Sequence, residues 1–374
     1  MRIGIEAQRI FRPRKHGMDV VAIELIKNLQ QIDADNQYVV FSRNGAKDDT
    51  IQATSNFRLE QFSSLTYADW EQVHLPKSIK KNKLDILHCT ANTAPLFTQV
   101  PLVLTLHDII YLENVDFKGT AYQNIGNLYR RWLVPKIVKK AALVLTVSQF
   151  EKENIQKRLR LADDKVQVLY NGVSARFNAN YAPEQVEAFR RKYNLPAQYM
   201  MFLGNTAPKK NTMNVIKAFV DFCLSAKCEI QLVLLDYKKE LVEKTLEELK
   251  QPSLINRFVF PGYVPHNKIP LMYNAATVFL YPSLRESFGL PILEAMACGV
   301  PVITSITSSM PEVAGDAALL VDPLQYKEIA VAMHNLATNE DLRESLKKKG
   351  LERAKQFTWR SSAEQLLSIY EGFG

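Results

Sequence analysis

The sequence is poor in the residues that mark metalloproteins, disulfide scaffolds and membrane spans. Its four cysteines, at positions 89, 223, 228 and 298, stand in stretches that read as strand or helix interiors. They form no Cys-x-x-Cys pair and no Cys/His cluster of zinc spacing, so no metal site is expected from them. A reduced, cytoplasmic protein is the economical expectation. No run approaches the ~20 continuous apolar residues that a bilayer-spanning helix needs. The first ten residues, MRIGIEAQRI, lack the apolar core of a signal peptide and read as a strand. The Gly-x-Gly-x-x-Gly dinucleotide fingerprint is absent, which leaves hydride transfer weakly supported. Repeats and low-complexity tracts are missing, as are zinc-finger, RNP-type and basic-helix patterns, so nucleic acid is not an expected partner.

What is present fits a two-domain globular chain. Its 374 residues are 47% apolar and 23% charged, and that length is long for a single core. The net charge of +8 is uneven. Residues 1–178 hold 25 Lys+Arg against 18 Asp+Glu, a net of +7, and the remainder holds 22 against 21, a net of +1. A basic first half suggests an acidic partner surface, such as anionic lipid or a phosphate-bearing acceptor.

The chain alternates apolar runs with amphipathic stretches. RIGIEA (2–7), a loop 8–17 carrying Arg9, Arg12, Arg14, Lys15 and His16, a helix 18–32 and YVVFSR (38–43) form a βαβ opening. Gly17 closes the loop, either as a turn glycine or where a phosphate approaches. LDILHC (84–89), PLVLTLHD (101–108), ALVLTVS (142–148) and VQVLYNGV (166–173) read as further strands. His107 and Asp108 end the second of these, at the edge where ligands bind in open α/β sheets. A histidine there also reads as a loop residue bonded to backbone. Residues 121–142 form a basic, aromatic helix with Tyr122, Tyr129, Arg130, Arg131, Trp132, Lys136, Lys139 and Lys140, either a solvated face or one that rests on an anionic membrane. An Asp-x-Asp, Asp33-Ala34-Asp35, falls in a helix-to-strand turn at the amino ends of the strands, away from the expected ligand edge.

A second alternation begins at YMMFLGN (199–205), followed by Lys209 and Lys210 and a helix from Thr212. EIQLVLLD (229–236), RFVFPGYVP (257–265) and ALLVDP (318–323) read as strands, with helices at 238–250, 326–337 and 340–356 and from Trp359 on. Between them lies the stretch around which the chain is organised, YPSLRESFGLPILEAMACGVPVITS (281–305). It reads as strand, polar loop, helix and strand, with Pro291 at the helix start and Gly299 as its left-handed cap. Backbone amides at such a helix start suit an anion. Glu286 and Glu294 flank the start in an E-x7-E spacing. Carboxylates are acceptors only, so they suit sugar hydroxyls. An exposed loop Glu with a dipole-favoured helix Glu is the plainer alternative.

The string ESFGLPILEAMACGVPVITS resembles the signature of the retaining, nucleotide-sugar-dependent glycosyltransferases of family 4. The likeness runs over nearly the whole chain and is strongest from Phe202 to Pro323. It implies a GT-B architecture, an α/β fold of two doubly wound Rossmann-like domains facing across a cleft. The domains would be residues 1–175, with helix 358–374 packing back on them, and residues 176–357. The implied reaction is hexosyl transfer from a nucleotide sugar to a glycan or lipid-linked acceptor. GDP-mannose is favoured by likeness to bacterial polysaccharide enzymes. No cofactor and no metal are expected, and peripheral membrane association is a further expectation. By position in the family pattern, Glu286 holds donor-sugar hydroxyls, Glu294 the ribose and Lys210 the diphosphate, while His107 positions the sugar. Gly17, Asp108, Asn205, Lys209, Tyr263, Val264, Ser287, Phe288, Gly289 and Leu290 would line the donor site. Asn205 stands where the family often has Arg, a departure that weakens a two-cation clamp. A nucleotide-sugar 2-epimerase and a non-catalytic nucleotide-sugar sensor are the rival readings.

Overall fold

The computed structural model describes residues 1–12, 15, 17–44, 50–113, 121–226 and 229–374, with the side chains of 121–123 left out. Arg14, His16 and Cys228 lie outside the described residues, as does the side chain of Tyr122. The chain forms two compact units, Met1–Gly172 with Trp359–Gly374, and Val173–Thr358. These junctions fall slightly earlier at the first crossing, and one residue later at the second, than the 175/176 and 357/358 read from sequence. A bridge between Val173 and Thr358 accounts for this. The Val173 N–H also donates to the Phe357 carbonyl at 2.9 Å, so both chain passes belong to the second unit.

The first unit is built on a seven-stranded parallel sheet. Its strands are β1 (Arg2–Glu6), β2 (Gln37–Arg43), β3 (Phe57–Phe62), β4 (Ile86–Cys89), β5 (Leu102–Thr105), β6 (Leu143–Thr146) and β7 (Val166–Val168). The order is β3-β2-β1-β4-β5-β6-β7, with Ile3 opposite Tyr38 on one side and Ile86 on the other. Both faces are covered, so β4, β5 and β6 are buried at every residue. That is why they show as unbroken apolar runs in the sequence. Edge strand β3, FRLEQF, is only partly buried and mixes charge with aromatics, and the sequence reading passed over it. Helix Leu75–Asn82 was also passed over. The C-terminal helix Trp359–Glu371 packs on helix Gly17–Ile32. Its Tyr370 hydroxyl meets His88 Nδ1 at 2.6 Å, while the other ring nitrogen meets Thr105 at 2.7 Å. Burial pushes the His88 imidazole down to about 3, so it stays neutral inside this tie.

The second unit carries a six-stranded parallel sheet of β8 (Tyr199–Leu203), β9 (Gln231–Leu235), β10 (Phe258–Val259), β11 (Val278–Tyr281), β12 (Val302–Ser305) and β13 (Ala318–Val321). Its order is β10-β9-β8-β11-β12-β13. Chain direction across the sheet reverses between β8 and β11, the switch point where open sheets gather ligands. Strand β10, Phe258–Val259, is the short strand at the start of RFVFPGYVP, a stretch whose sequence reads as a strand with a turn. Pro261 cannot donate to a ladder and Gly262 turns to φ +73, so the stretch leaves the sheet. Among the described residues no helix is long and apolar enough to cross a membrane.

Candidate active site

The carboxyl edge of the second sheet brings two of the expected groups, Lys210 and Glu286, together with Tyr281. Strand β8 is followed by Gly204, where a Cβ would lie 2.8 Å from Tyr237 Cβ and 3.0 Å from the Leu235 carbonyl, so only glycine fits. The loop beyond it leads through a short 3-10 turn, Pro208–Lys210, into helix Thr212–Ser225. Asn211 adopts a left-handed turn there, and its amide donates to the Pro282 and Pro323 carbonyls at 3.0 and 2.7 Å. These contacts hold the loop after β8 against the loop after β11. The Leu284 N–H donates to the Lys209 carbonyl at 2.8 Å, a second stitch between them.

Lys210 thus meets Glu286. Its Nζ lies 2.7 Å from Glu286 Oε1 and donates to the Tyr281 hydroxyl at 3.0 Å, with both charged side chains largely shielded from water. Burial and the Glu286 charge push the Tyr281 phenol well above its ordinary range, so the hydroxyl keeps its proton. Lys209 is exposed beside them. Asn205 spends its side-chain carbonyl on the Ala207 N–H at 2.8 Å, an Asx turn that shapes the loop.

The Glu286 loop is fixed by hydroxyls that the sequence reading missed. Thr304 donates to the Tyr281 carbonyl at 3.0 Å, Ser305 to Ser283 at 2.6 Å and Thr307 to Leu284 at 3.3 Å. Ser308 donates to the Glu286 carbonyl and accepts the Glu286 N–H at 3.0 Å, and Ser309 reaches the Glu286 and Phe288 carbonyls at 3.0 and 2.9 Å. Five hydroxyl residues among six, TSITSS, were the available signal. Phe288 is buried and sets its ring against Phe357 at 5.8 Å. Ser287 is half-buried next to it.

The helix that follows is Leu290–Ala297, one residue earlier than read from the sequence, with Pro291 in its first turn and Gly289 as its cap at φ +104. A side chain at Gly289 would be strained by that φ and would press on Ile292 at 3.1 Å. Pro291 has no N–H, and that of Ile292 turns back to the Gly289 carbonyl at 2.9 Å. The amides able to face an anion are therefore fewer than a regular helix start provides, namely those at Gly289 and Leu290. Glu294 lies one turn in, with its carboxyl 3.4 Å from the Tyr273 hydroxyl. Burial pushes it up to about 7, against the pull of the Arg176 charge and the Tyr273 hydrogen bond. Arg176 carried no motif and was not singled out from sequence; its guanidinium meets His266 Nδ1 at 2.9 Å. Val264 is buried, and Tyr263 beside it is 83% exposed.

In the first unit, His107 follows β5 and is buried. Its Nε2 donates to the Thr90 carbonyl at 2.9 Å, leaving Nδ1 as the acceptor of a neutral ring. Burial holds the imidazole below its ordinary range, so it is uncharged at neutral pH. Asp108 accepts the Ile110 N–H at 3.2 Å and so caps the short helix Ile110–Glu113. Gly17 opens helix Gly17–Ile32, and a Cβ there would meet nothing within 4 Å. Packing does not demand a glycine at this point.

The same sheet edge holds a buried acidic cluster that the sequence did not reveal. Glu6 ends β1, with Oε1 on the Gln8 N–H at 2.9 Å and Oε2 buried without a partner among the described residues. Burial pushes its carboxyl up to about 7, and the neighbouring Glu71 adds to the rise. Glu71 itself accepts from the hydroxyls of Thr93 and Tyr129 and from the Gln72 amide. Asp33 of the Asp-x-Asp is a turn residue. Its carboxylate takes the N–H groups of Asp35 and Asn36, at 2.9 and 3.2 Å, together with the Tyr38 hydroxyl.

Two parallel-sheet Rossmann-like units with a switch-point site define a GT-B glycosyltransferase fold, and the comparisons with known proteins agree. The Glycosyltransferase Family 4 model matches residues 16–177 and the Glycosyl transferases group 1 model matches residues 185–353. The chain belongs to this glycosyltransferase family. The O-antigen chain mannosyltransferase B of Escherichia coli is 32% identical over 232 residues, 62% of this chain and 61% of that protein. The Escherichia coli serotype-specific mannosyltransferase WbdA is 28% identical over 277 residues, 72% of this chain and 33% of WbdA. The chain therefore spans less than two thirds of the length of these two relatives. Among solved structures, Anabaena HepE in complex with UDP and glucose superimposes with a TM-score of 0.75 at 18% identity, covering 100% of both chains. A Rickettsia africae glycosyltransferase gives 0.76 at 19% identity, covering 100% of this chain and 98% of that one.

Proposed function

We propose that the protein is a hexosyltransferase that takes mannose from GDP-mannose to a hydroxyl of a glycan or lipid-linked acceptor, with retention at the anomeric carbon. The observation that carries this reading is the Lys210–Glu286–Tyr281 group at the switch point of the second sheet. It offers a cation for phosphate and a carboxylate for hydroxyls within one hydrogen-bond network. Family membership and mannosyltransferase relatives support the sugar and the reaction class.

In this mechanism the bond from the anomeric carbon to the diphosphate oxygen breaks as a bond to the acceptor oxygen forms on the same face. The acceptor hydroxyl proton passes to the departing phosphate oxygen. Lys210 exchanges its contact with Glu286 for the diphosphate and offsets the charge that develops on it. Glu286, released from the lysine, accepts from sugar hydroxyls. Glu294 accepts from the ribose, and in the first unit the unprotonated Nδ1 of His107 is available to accept a hydrogen bond from a hydroxyl. Glu6 and Glu71 suit acceptor hydroxyls and would repel phosphate. The mechanism needs no divalent metal, since Lys210 supplies the charge and Asp33 is committed to its turn. The test is incubation with a panel of sugar nucleotides. Released GDP together with a mannosylated acceptor supports the reading. An altered free sugar nucleotide points to epimerisation, and binding without turnover points to a sensor.

A further inference from the structure

Helix Ala121–Lys140 has more apolar surface than its own unit uses. Its core face is supplied by Leu133, Val134, Ile137 and Val138, all fully buried. Ile125, Leu128 and Trp132 recur at i, i+3 and i+7 and so form a separate ridge, 67%, 52% and 53% exposed. The helix has five cations, Arg130, Arg131, Lys136, Lys139 and Lys140, and no acidic residue. Lys136 Nζ sits over the Trp132 ring at 3.7 Å, so the ridge is rimmed by positive charge.

One position round the helix from this ridge is a cavity of about 380 Å³. It is lined by Arg131, Pro135 and Lys139 from the helix, by Arg158, Leu159 and Arg160, and by Leu112. Four cations line it and no acid does, among the described residues. Arg158 donates to the Leu112 carbonyl at 2.6 Å, and Arg131 keeps a buried guanidinium nitrogen with no partner among the described residues. None of the four has a salt bridge to a described residue. Cations held this close repel one another, and an anion entering the cavity would offset that repulsion.

We infer that this pocket takes the headgroup phosphate of an anionic phospholipid while the Ile125–Leu128–Trp132 ridge enters the bilayer interface. An anionic lipid surface fits both features at once, charge for the pocket and apolar depth for the ridge. The inference names the lipid-contacting residues for an enzyme with the lipid-linked acceptor proposed above, but its chemistry does not depend on the donor.

The test is sedimentation of the full chain with vesicles of phosphatidylcholine alone or mixed with phosphatidylglycerol. Tryptophan emission reports insertion, because Trp70 and Trp359 are buried and Trp132 is not. The expected result is binding that needs phosphatidylglycerol, fades with salt and shifts Trp132 emission to the blue. The triple change Arg131→Gln, Lys139→Gln and Arg158→Gln should weaken it at least tenfold. The pair Leu128→Ser and Trp132→Ser should weaken binding without changing its salt dependence. Nucleotide-sugar binding in solution, measured on the same variants, should stay unchanged, which separates this inference from the donor assignment. Three results would overturn it: no vesicle binding by the folded protein at low salt, equal binding by the pocket triple, or saturable binding of inorganic phosphate at the pocket without vesicle binding.

Discussion

The two sheets share one design and end in opposite chemistry. In each, the first strand lies inside the sheet beside the switch point, β1 between β2 and β4, and β8 between β9 and β11. Beyond β8 stands a lysine paired with a carboxylate, both largely shielded from water. Beyond β1 stands a carboxylate pressed against a second one, both buried and both held above their ordinary range. The first arrangement fits the diphosphate and sugar proposed above, whereas the second is a pair of buried acids that offers nothing to a phosphate. Sheet topology thus decides where ligands gather, and the residue that the loop delivers decides which ligand it is.

The largest effect that would sharpen this contrast is at Lys210. Lys210→Ala should lower turnover by about 10²–10³-fold, the usual loss when a preorganised charge leaves a transition state. Steady-state release of nucleoside diphosphate measures it. A loss under tenfold in a folded variant would leave the second edge without its phosphate chemistry.

The next is Glu6. Its folded carboxyl titrates near 7 against an ordinary 4.5. Between those values the folded state binds more protons than the unfolded one, so stability is greatest below 4.5 and falls as pH rises through 7. At ~1.4 kcal/mol per pH unit, the loss sums to about 3 kcal/mol. Glu6→Gln should flatten that slope in denaturant midpoints taken from pH 5 to 8, leaving the part that Glu294 and Glu71, also held above their ordinary range, supply. An unchanged slope would mean that Glu6 is not the strained acid of this edge.

Glu294→Ala should weaken nucleoside diphosphate binding by about 1.5–3 kcal/mol, the cost of losing a charged acceptor. Because this carboxyl titrates near 7, wild-type affinity should fall as pH drops below that value, and the variant should lack the dependence. Calorimetry at pH 6 and pH 8 reads both. The smallest effect belongs to Asp33→Asn. It should cost about 1 kcal/mol of stability through its turn, with turnover the same with or without chelator.

Much of this was legible where a residue's role is local or repetitive. Strands buried on both faces showed as apolar runs, and the E-x7-E block placed Glu286 and Glu294 at one helix start. Edge strand β3 was not legible, because half-exposed strands dilute the apolar signal with charge. The Lys210–Glu286 pair joins residues 76 positions apart, and no spacing rule reaches that far. The hydroxyls of Thr304 to Ser309 act on carbonyls 21 to 23 residues earlier, which the parallel pairing of β11 with β12 brings within reach. Glu6 reads as an ordinary strand residue and Glu71 carries no signal in the sequence, yet the fold buries both.

The contrast between the edges rests most directly on Glu286. It is assigned to the sugar, whereas the nucleotide is held by its neighbours. The measurement is Glu286→Ala, with GDP affinity by calorimetry and mannosyl transfer from GDP-mannose by product analysis on the same preparation. GDP binding within about threefold of wild type, with transfer reduced by at least about 10²-fold, is the predicted result. Equal loss of both would make Glu286 a prop for its loop, and retained transfer would remove the second edge as the place where the sugar is held.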